Sequence, residues 1–237
     1  MSAGALEGRN AVVTGAAGGI GAAVVEAFRS AGAQVHAWDL HAAPGVRGVD
    51  VADRKAVAEA WSDTEHRHGP IDLLVSAAGV MSADWDLCLA VNAGGVRNML
   101  DAATPAMAAR GRGSVVVVSS NAAAVPRTGF PAYAASKAAA TSYARSVGLS
   151  VAGSGVRVNI VSPGSTDSPM TREMWTTQAH RDAVLAGDPE QFRLGIPVGR
   201  IATPADVAAT VLFLASDAAR HVTLHDLRVD GGATLDA

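Results

Sequence analysis

A single cysteine, Cys88, in a chain of 237 residues excludes an intrachain disulfide and any metal site built from a cysteine cluster. No metal is expected. Charge is scarce as well: Asp, Glu, Lys and Arg together make up 17% of the residues, the formal net charge is −3, and no run of Lys or Arg occurs. A polyanion-binding surface needs concentrated positive charge, so nucleic acid is not an expected partner. Long apolar runs are also missing. None approaches the roughly 20 residues that a bilayer core demands, and residues 1–8 have neither the basic start nor the apolar stretch of a secretion signal. The expectation is therefore a cytoplasmic protein without membrane association, and Cys88 reads as a small buried residue.

What is plentiful is apolar side chain. Hydrophobic residues make up 49% of the chain, enough at this length for one sizeable α/β core. Asn10-Ala11-Val12-Val13-Thr14 is a short β-rich run that breaks into glycines at 15, 18, 19 and 21, after which residues 20–31 carry helical periodicity. This is strand, glycine-rich turn, helix. In that context the absent Cβ atoms of Gly15, Gly18, Gly19 and Gly21 let the backbone approach a pyrophosphate, and the helix N-terminus at Ile20 offers free N–H groups to it.

The next strand, 34–38, ends at Asp39, eighteen residues past Gly21. A carboxylate there can hold both ribose hydroxyls of an adenosine, and Leu40 and His41 beside it supply no permanent cation for a 2′-phosphate. NAD rather than NADP is the expected cofactor, the competing reading of Asp39 being a cap on the following turn. Val49-Asp50-Val51 closes a further short predicted strand, and Asp50 there can accept from the adenine amino group. Residues 54–68 predict a helix ending at Gly69-Pro70, and 71–75 a fourth strand followed at once by Ser76-Ala77-Ala78-Gly79, small residues that let the cofactor lie across the sheet edge. The all-apolar run Val115-Val116-Val117-Val118 predicts a strand buried on both faces and closed by Ser120. A helix through Tyr133, a strand at 157–161, the turn Pro163-Gly164, a less regular stretch to Gly199, a helix at 204–216 and a strand at 226–229 complete the chain. Alternation of this kind predicts a single doubly wound, Rossmann-type parallel sheet with helices on both faces, forming one domain over 1–237 with a substrate-covering segment around 165–200.

Tyr133 and Lys137 lie four residues apart, on one face of the predicted helix. A phenol titrates near 10, and a cation within a few ångströms lowers that by roughly 1–3 units, which makes Tyr133 a usable base. The spacing alone is common on solvated helices, so the order of the other motifs has to decide.

Thr-Gly-x-x-x-Gly-Ile-Gly from Thr14, a strand-end serine, Tyr-x-x-x-Lys and Pro-Gly follow one another across the whole length. In this the chain resembles the short-chain dehydrogenase/reductase family. The resemblance implies Tyr133 as acid/base, Lys137 as its cationic partner and a ligand of the nicotinamide ribose, and Ser120, thirteen residues before Tyr133, as holder of the reacting oxygen. It implies Asn92 as fixing a water in a proton relay, and Pro163, Gly164 and Thr166 as lining the nicotinamide side. Two departures stand out: Ser76 replaces the asparagine usual before Ala77, and the segment 79–92 is several residues short.

A closer resemblance, to 2,3-dihydro-2,3-dihydroxybenzoate dehydrogenases, rests on stretches 152–159, 162–167, 190–197 and 229–235. It implies oxidation of a ring hydroxyl of a chorismate-derived cyclohexadiene carboxylic acid, with tautomerisation to an aromatic catechol for siderophore assembly. A cation should meet the carboxylate, with Arg127 as first candidate and Arg172 and Arg193 behind it. Trp175 and Phe192 either close over the ring or pack in the core. Dehydrogenation of trans-2,3-dihydro-3-hydroxyanthranilate, another cyclic alcohol or sugar oxidation, and a non-catalytic NAD sensor remain open alternatives. The apolar C-terminal segment 223–235 resembles the part that buries subunit contacts in the family, which implies a homo-oligomer, commonly a tetramer.

Overall fold

The computed structural model of the protein describes residues 4–126, 128–172 and 174–235. Its centre is a seven-stranded sheet in the order β3-β2-β1-β4-β5-β6-β9, with every neighbouring pair parallel. The strands are β1 (Asn10–Thr14), β2 (Gln34–Asp39), β3 (Val46–Gly48), β4 (Leu73–Ser76), β5 (Gly113–Val118), β6 (Val156–Pro163) and β9 (Asp226–Val229). Helices α1 (Gly19–Ser30) and α8 (Pro204–Ala215) cover one face; α2 (Arg54–His68), α4 (Gly95–Ala109) and α5 (Pro131–Val151) cover the other. Alternation along a strand feeds the two layers. Val116 and Val118 pack with α1 and α8, while Val115 and Val117 pack with α4 and α5, and all four are buried. A run of four valines is therefore what a central strand covered on both sides requires.

Local chemistry sets the helix ends. Asp53 caps α2 by accepting from the amides of Lys55 and Ala56, and Gly69 closes it at φ 85°. Thr203 and Asp206 form a capping box around Pro204 at the start of α8. One strand differs from expectation. β3 (Val46–Gly48) closes before Val49-Asp50-Val51 and not with them, because only the Val49 amide still reaches the Asp39 carbonyl of β2 (2.7 Å) and the Asp50 carboxylate then accepts from the Ala52 amide (2.9 Å), turning the chain toward α2.

The strand order reverses between β1 and β4, so the carboxyl ends of those strands open a crevice. Around it lie two further pieces. The short segment 79–92 holds a one-turn helix α3 (Trp85–Cys88), capped by Asp84, that runs directly into a π turn at Leu89–Gly94. After β6 the chain forms α6 (Pro169–Arg172), α7 (Gln178–Ala186) and a two-stranded antiparallel ribbon of β7 (Gly187–Asp188) and β8 (Arg193–Leu194). Among the described residues no helix is long and apolar enough to cross a membrane.

Candidate active site

The glycine-rich turn is shaped by what a side chain would strike. Gly15 has φ 67°, and a Cβ there would lie 2.8 Å from the Ala78 backbone; a Cβ on Gly21 would overlap the Gly15 carbonyl. Both positions demand glycine for space, and Gly15 for conformation too. Thr14 closes the turn against the neighbouring strand end, its hydroxyl accepting from the amides of Ala77 (3.1 Å) and Ala78 (3.2 Å). The result is a cavity of about 470 Å³ lined by Gly15, Gly18, Gly19, Ile20, Gly21, Asp39, Leu40, Asp50, Val51, Ala77, Ala78 and Gly79. All the residues expected along an adenosine and a pyrophosphate are thus brought to one wall. Asp39 is held there by the amides of Ala17 (2.9 Å) and Leu40 (2.8 Å). No Arg or Lys is among the described residues lining this cavity. The Val51 carbonyl is fixed by the buried Asn98 amide (2.9 Å).

On α5, the Lys137 ammonium stands 5.9 Å from the centre of the Tyr133 ring and donates to the Val118 carbonyl at the end of β5 (3.0 Å). Burial pushes Lys137 down from its ordinary value to about 8, with the Cys88 thiol acting in the opposite sense. Cys88 is buried, as expected. Ser120 is buried in extended backbone and caps a short 3₁₀ turn, Asn121–Ala123, accepting from the Ala122 amide (3.2 Å).

Asn92 is fully buried, and its side chain is spent on protein. Its carbonyl oxygen accepts from the Val80 amide (2.9 Å), and its nitrogen donates to the Val80 carbonyl (2.9 Å) and the Ser136 hydroxyl (2.9 Å). Ser136 in turn donates to the Tyr133 carbonyl (2.8 Å). Asn92 therefore clamps the chain after Gly79 to the helix that carries Tyr133. The π turn places it, and the shortened segment before it leaves this clamp intact.

A second cavity of about 450 Å³ adjoins the first, sharing Ile20, Ser168 and Met170 with it; Ser120, Tyr133, Pro163, Gly164 and Thr166 all face it. The segment 165–200 forms its outer wall through Met170, Met174, Trp175, His180 and Arg193. Trp175 accordingly lines the cavity, whereas Phe192 is 77% exposed and borders a smaller annex of about 130 Å³. Phe130 (φ 57°) and Phe192 (φ 55°) both adopt left-handed backbone, a conformation that costs a side-chain-bearing residue about 1–2 kcal/mol and concentrates at functional rims.

The three candidate arginines separate. Arg172 is already committed to Asp167 (2.7 Å) and is 63% exposed, and Arg181 bonds the same carboxylate (3.2 Å). Arg193 lies on the cavity wall, and its guanidinium has no hydrogen bond or ion pair among the described residues. Arg127 lies outside the described residues. Sequence does not single out His180, Met170 and Met174, because which side chains of an irregular segment turn inward is decided by long-range packing and not by local periodicity, nor Asn121, whose partners Asp230 and Thr234 are more than a hundred residues away.

A family model described as Enoyl-(Acyl carrier protein) reductase matches residues 15–234. The chain is 44% identical to a 2,3-dihydro-2,3-dihydroxybenzoate dehydrogenase of Escherichia coli (strain K12), covering 98% of this chain and 99% of that protein. It is 40% identical to the protein of the same name in Bacillus subtilis (strain 168), with 99% of each covered. Among solved structures, a putative NAD(P)-dependent gluconate 5-dehydrogenase from Beutenbergia cavernae with bound NADP superposes with a TM-score of 0.87 at 31% identity over 98% of both chains. The glycine turn, the Tyr133–Lys137 pair and these matches agree: the chain belongs to the short-chain dehydrogenase/reductase family.

Proposed function

We propose that this enzyme oxidises a ring hydroxyl of 2,3-dihydro-2,3-dihydroxybenzoate, using NAD, to give 2,3-dihydroxybenzoate for siderophore or secondary-metabolite synthesis. The observation that carries the reading is one cavity lined by Ser120, Tyr133 and Arg193, whose guanidinium is uncommitted among the described residues; together they suit a hydroxyl and a carboxylate on one small ring. The two dihydroxybenzoate dehydrogenases at 44% and 40% identity support it. The glycine cradle and Asp39 fit a dinucleotide with free ribose hydroxyls, and the absence of Arg and Lys from the described lining there favours NAD over NADP.

When bound, the nicotinamide supplies the acceptor for the hydride leaving the carbinol carbon. The protein does the rest. Ser120 and Tyr133 hold the hydroxyl, and Tyr133, as phenolate, takes its proton. Lys137 favours that phenolate by charge from within the protein, and Asn92 keeps Tyr133's helix in register with the cofactor strand. Base catalysis of this type is typically worth about 10²–10⁴-fold. The resulting ring ketone tautomerises to the catechol. Arg193 binds the carboxylate, since among the described residues its guanidinium has no partner, whereas that of Arg172 already bonds Asp167 through Nε. Exposed Leu149 (69%), Leu235 (83%) and Trp85 (53%) favour a symmetric homo-oligomer, a tetramer in our reading.

The test is a spectrophotometric screen for NADH formation over the dihydroxy diene acid, its hydroxyanthranilate counterpart and neutral cyclic alcohols. Preference for the dihydroxy acid is expected; preference for a neutral alcohol refutes the substrate assignment. Arg193→Ala and Arg193→Lys should lower kcat/KM for the acid about 10–100-fold, the worth of a charged hydrogen bond, and spare any neutral alcohol turned over. Equal losses on both would move the carboxylate partner to Arg127.

A further inference from the structure

Asn121, next to Ser120, is buried, and its amide nitrogen donates to the Asp230 carboxylate (3.2 Å) and to the Thr234 hydroxyl (3.1 Å). Asp230 sits at the end of β9, more than a hundred residues away in sequence, and is 7% exposed. Its other oxygen accepts from the Gly232 amide (3.1 Å). The same carboxylate residue touches the third wall of the site: a Cβ on Gly164 would lie 2.6 Å from the Asp230 Cβ and 3.4 Å from the Asn121 nitrogen. One buried amide–carboxylate contact thus joins the carboxyl ends of β5, β6 and β9, which carry Ser120, Pro163-Gly164 and the C-terminal segment. Ser120 itself begins the 3₁₀ turn that Asn121 anchors, so the turn's position fixes where the serine hydroxyl points.

We infer that Asn121 is a positioning residue, and that the C-terminal segment 230–234 acts through it, with Asp230 and Thr234 holding Ser120 in place for the reacting hydroxyl. The inference rests on the reading of Ser120 and Tyr133 given above. A buried charge needs a partner in contact with it, and here Asn121 meets that need for Asp230 while orienting the catalytic turn. A serine displaced by about 1 Å costs on the order of 100-fold in rate.

Asn121→Ala, Asn121→Asp, the exchange Asn121→Asp/Asp230→Asn and Ser120→Ala should be compared with the parent enzyme for kcat, KM, NAD dissociation constant and thermal midpoint. We expect Asn121→Ala to lower kcat about 10–100-fold with NAD affinity kept within about twofold. Asn121→Asp, which sets two carboxylates face to face, should lose more. The exchange restores the contact with donor and acceptor reversed and should recover most of kcat. Wild-type kcat in folded Asn121→Ala overturns the inference, as does a kcat loss matched by equal loss of NAD affinity. If Asn121→Ala does not fold, the exchange decides: a parental midpoint without recovered kcat refutes the role, and recovery supports it. A harmless Ser120→Ala overturns the Ser120 reading and the inference with it, whereas a damaging Ser120→Ala beside a harmless Asn121→Ala overturns the inference alone.

Discussion

Lys137→Met replaces a buried ammonium with an uncharged chain of similar length, and its effect on stability should reverse the usual direction for losing an active-site residue. Burial holds Lys137 at about 8, against an ordinary value of 10.5. The difference is worth about 3 kcal/mol against the charged form at neutral pH. The methionine removes that cost but leaves the Val118 carbonyl, which Lys137 reaches at 3.0 Å, without its donor, at about 1–3 kcal/mol. At pH 7 the variant should therefore be as stable as the parent or more stable by up to about 2 kcal/mol. Because the folded-state value lies below the unfolded one, the unfolded parent binds more protons between pH 8 and 10.5, and its stability rises with pH across that window. By pH 9.5 the parent's penalty has fallen to about 1.4 kcal/mol, so the variant's advantage should shrink by about 2 kcal/mol between pH 7 and 9.5. Urea unfolding at the two pH values, followed by tryptophan fluorescence, measures this directly. Activity should fall about 10²–10⁴-fold, the worth of the base that Lys137 supports. Parallel stability curves for variant and parent would refute the account of Lys137 as a charge held at a cost for function.

Asp39→Ala removes the carboxylate that faces the adenosine ribose in our reading; kcat/KM should fall for NAD and hold or rise for NADP, and a parent enzyme equally efficient with both cofactors would contradict the reading. Sedimentation at micromolar concentration should show a symmetric oligomer, with a purely monomeric boundary counting against it.

Much of this arrangement is legible from local pattern. The glycine turn, the valine run of β5 and the capped helix α2 each state their conformation in a few adjacent residues, and their expected bounds agree with the structure within a residue or two. β3 shows where that fails, since an edge strand is as long as its one neighbour allows and the strand closes at Gly48, three residues before Val51. Asn92 shows a different limit. Resemblance picks out the residue, but only the fold reveals that its side chain bonds Val80 and Ser136. Arginines show a third: sequence ranks Arg127 ahead of Arg172 and Arg193 by its place between Ser120 and Tyr133, and the pairing of Arg172 with Asp167 appears only once the chain after β6 turns into α6.

The start of α6 also lies against the glycine turn. Ser168 and Met170 belong to both cavities, and a Cβ on Gly19 would lie 2.9 Å from the Ser168 Cβ. The start of α6 therefore rests on the phosphate turn like a bolt across a door. It is fastened by the Thr171 hydroxyl, which bonds the Thr166 carbonyl (2.5 Å), and by Asp167, which grips arginines on both α6 and α7. In our reading the dinucleotide spans the two cavities beneath this segment, so its departure requires the segment to move. On that reading we expect cofactor release, and not ring chemistry, to limit turnover.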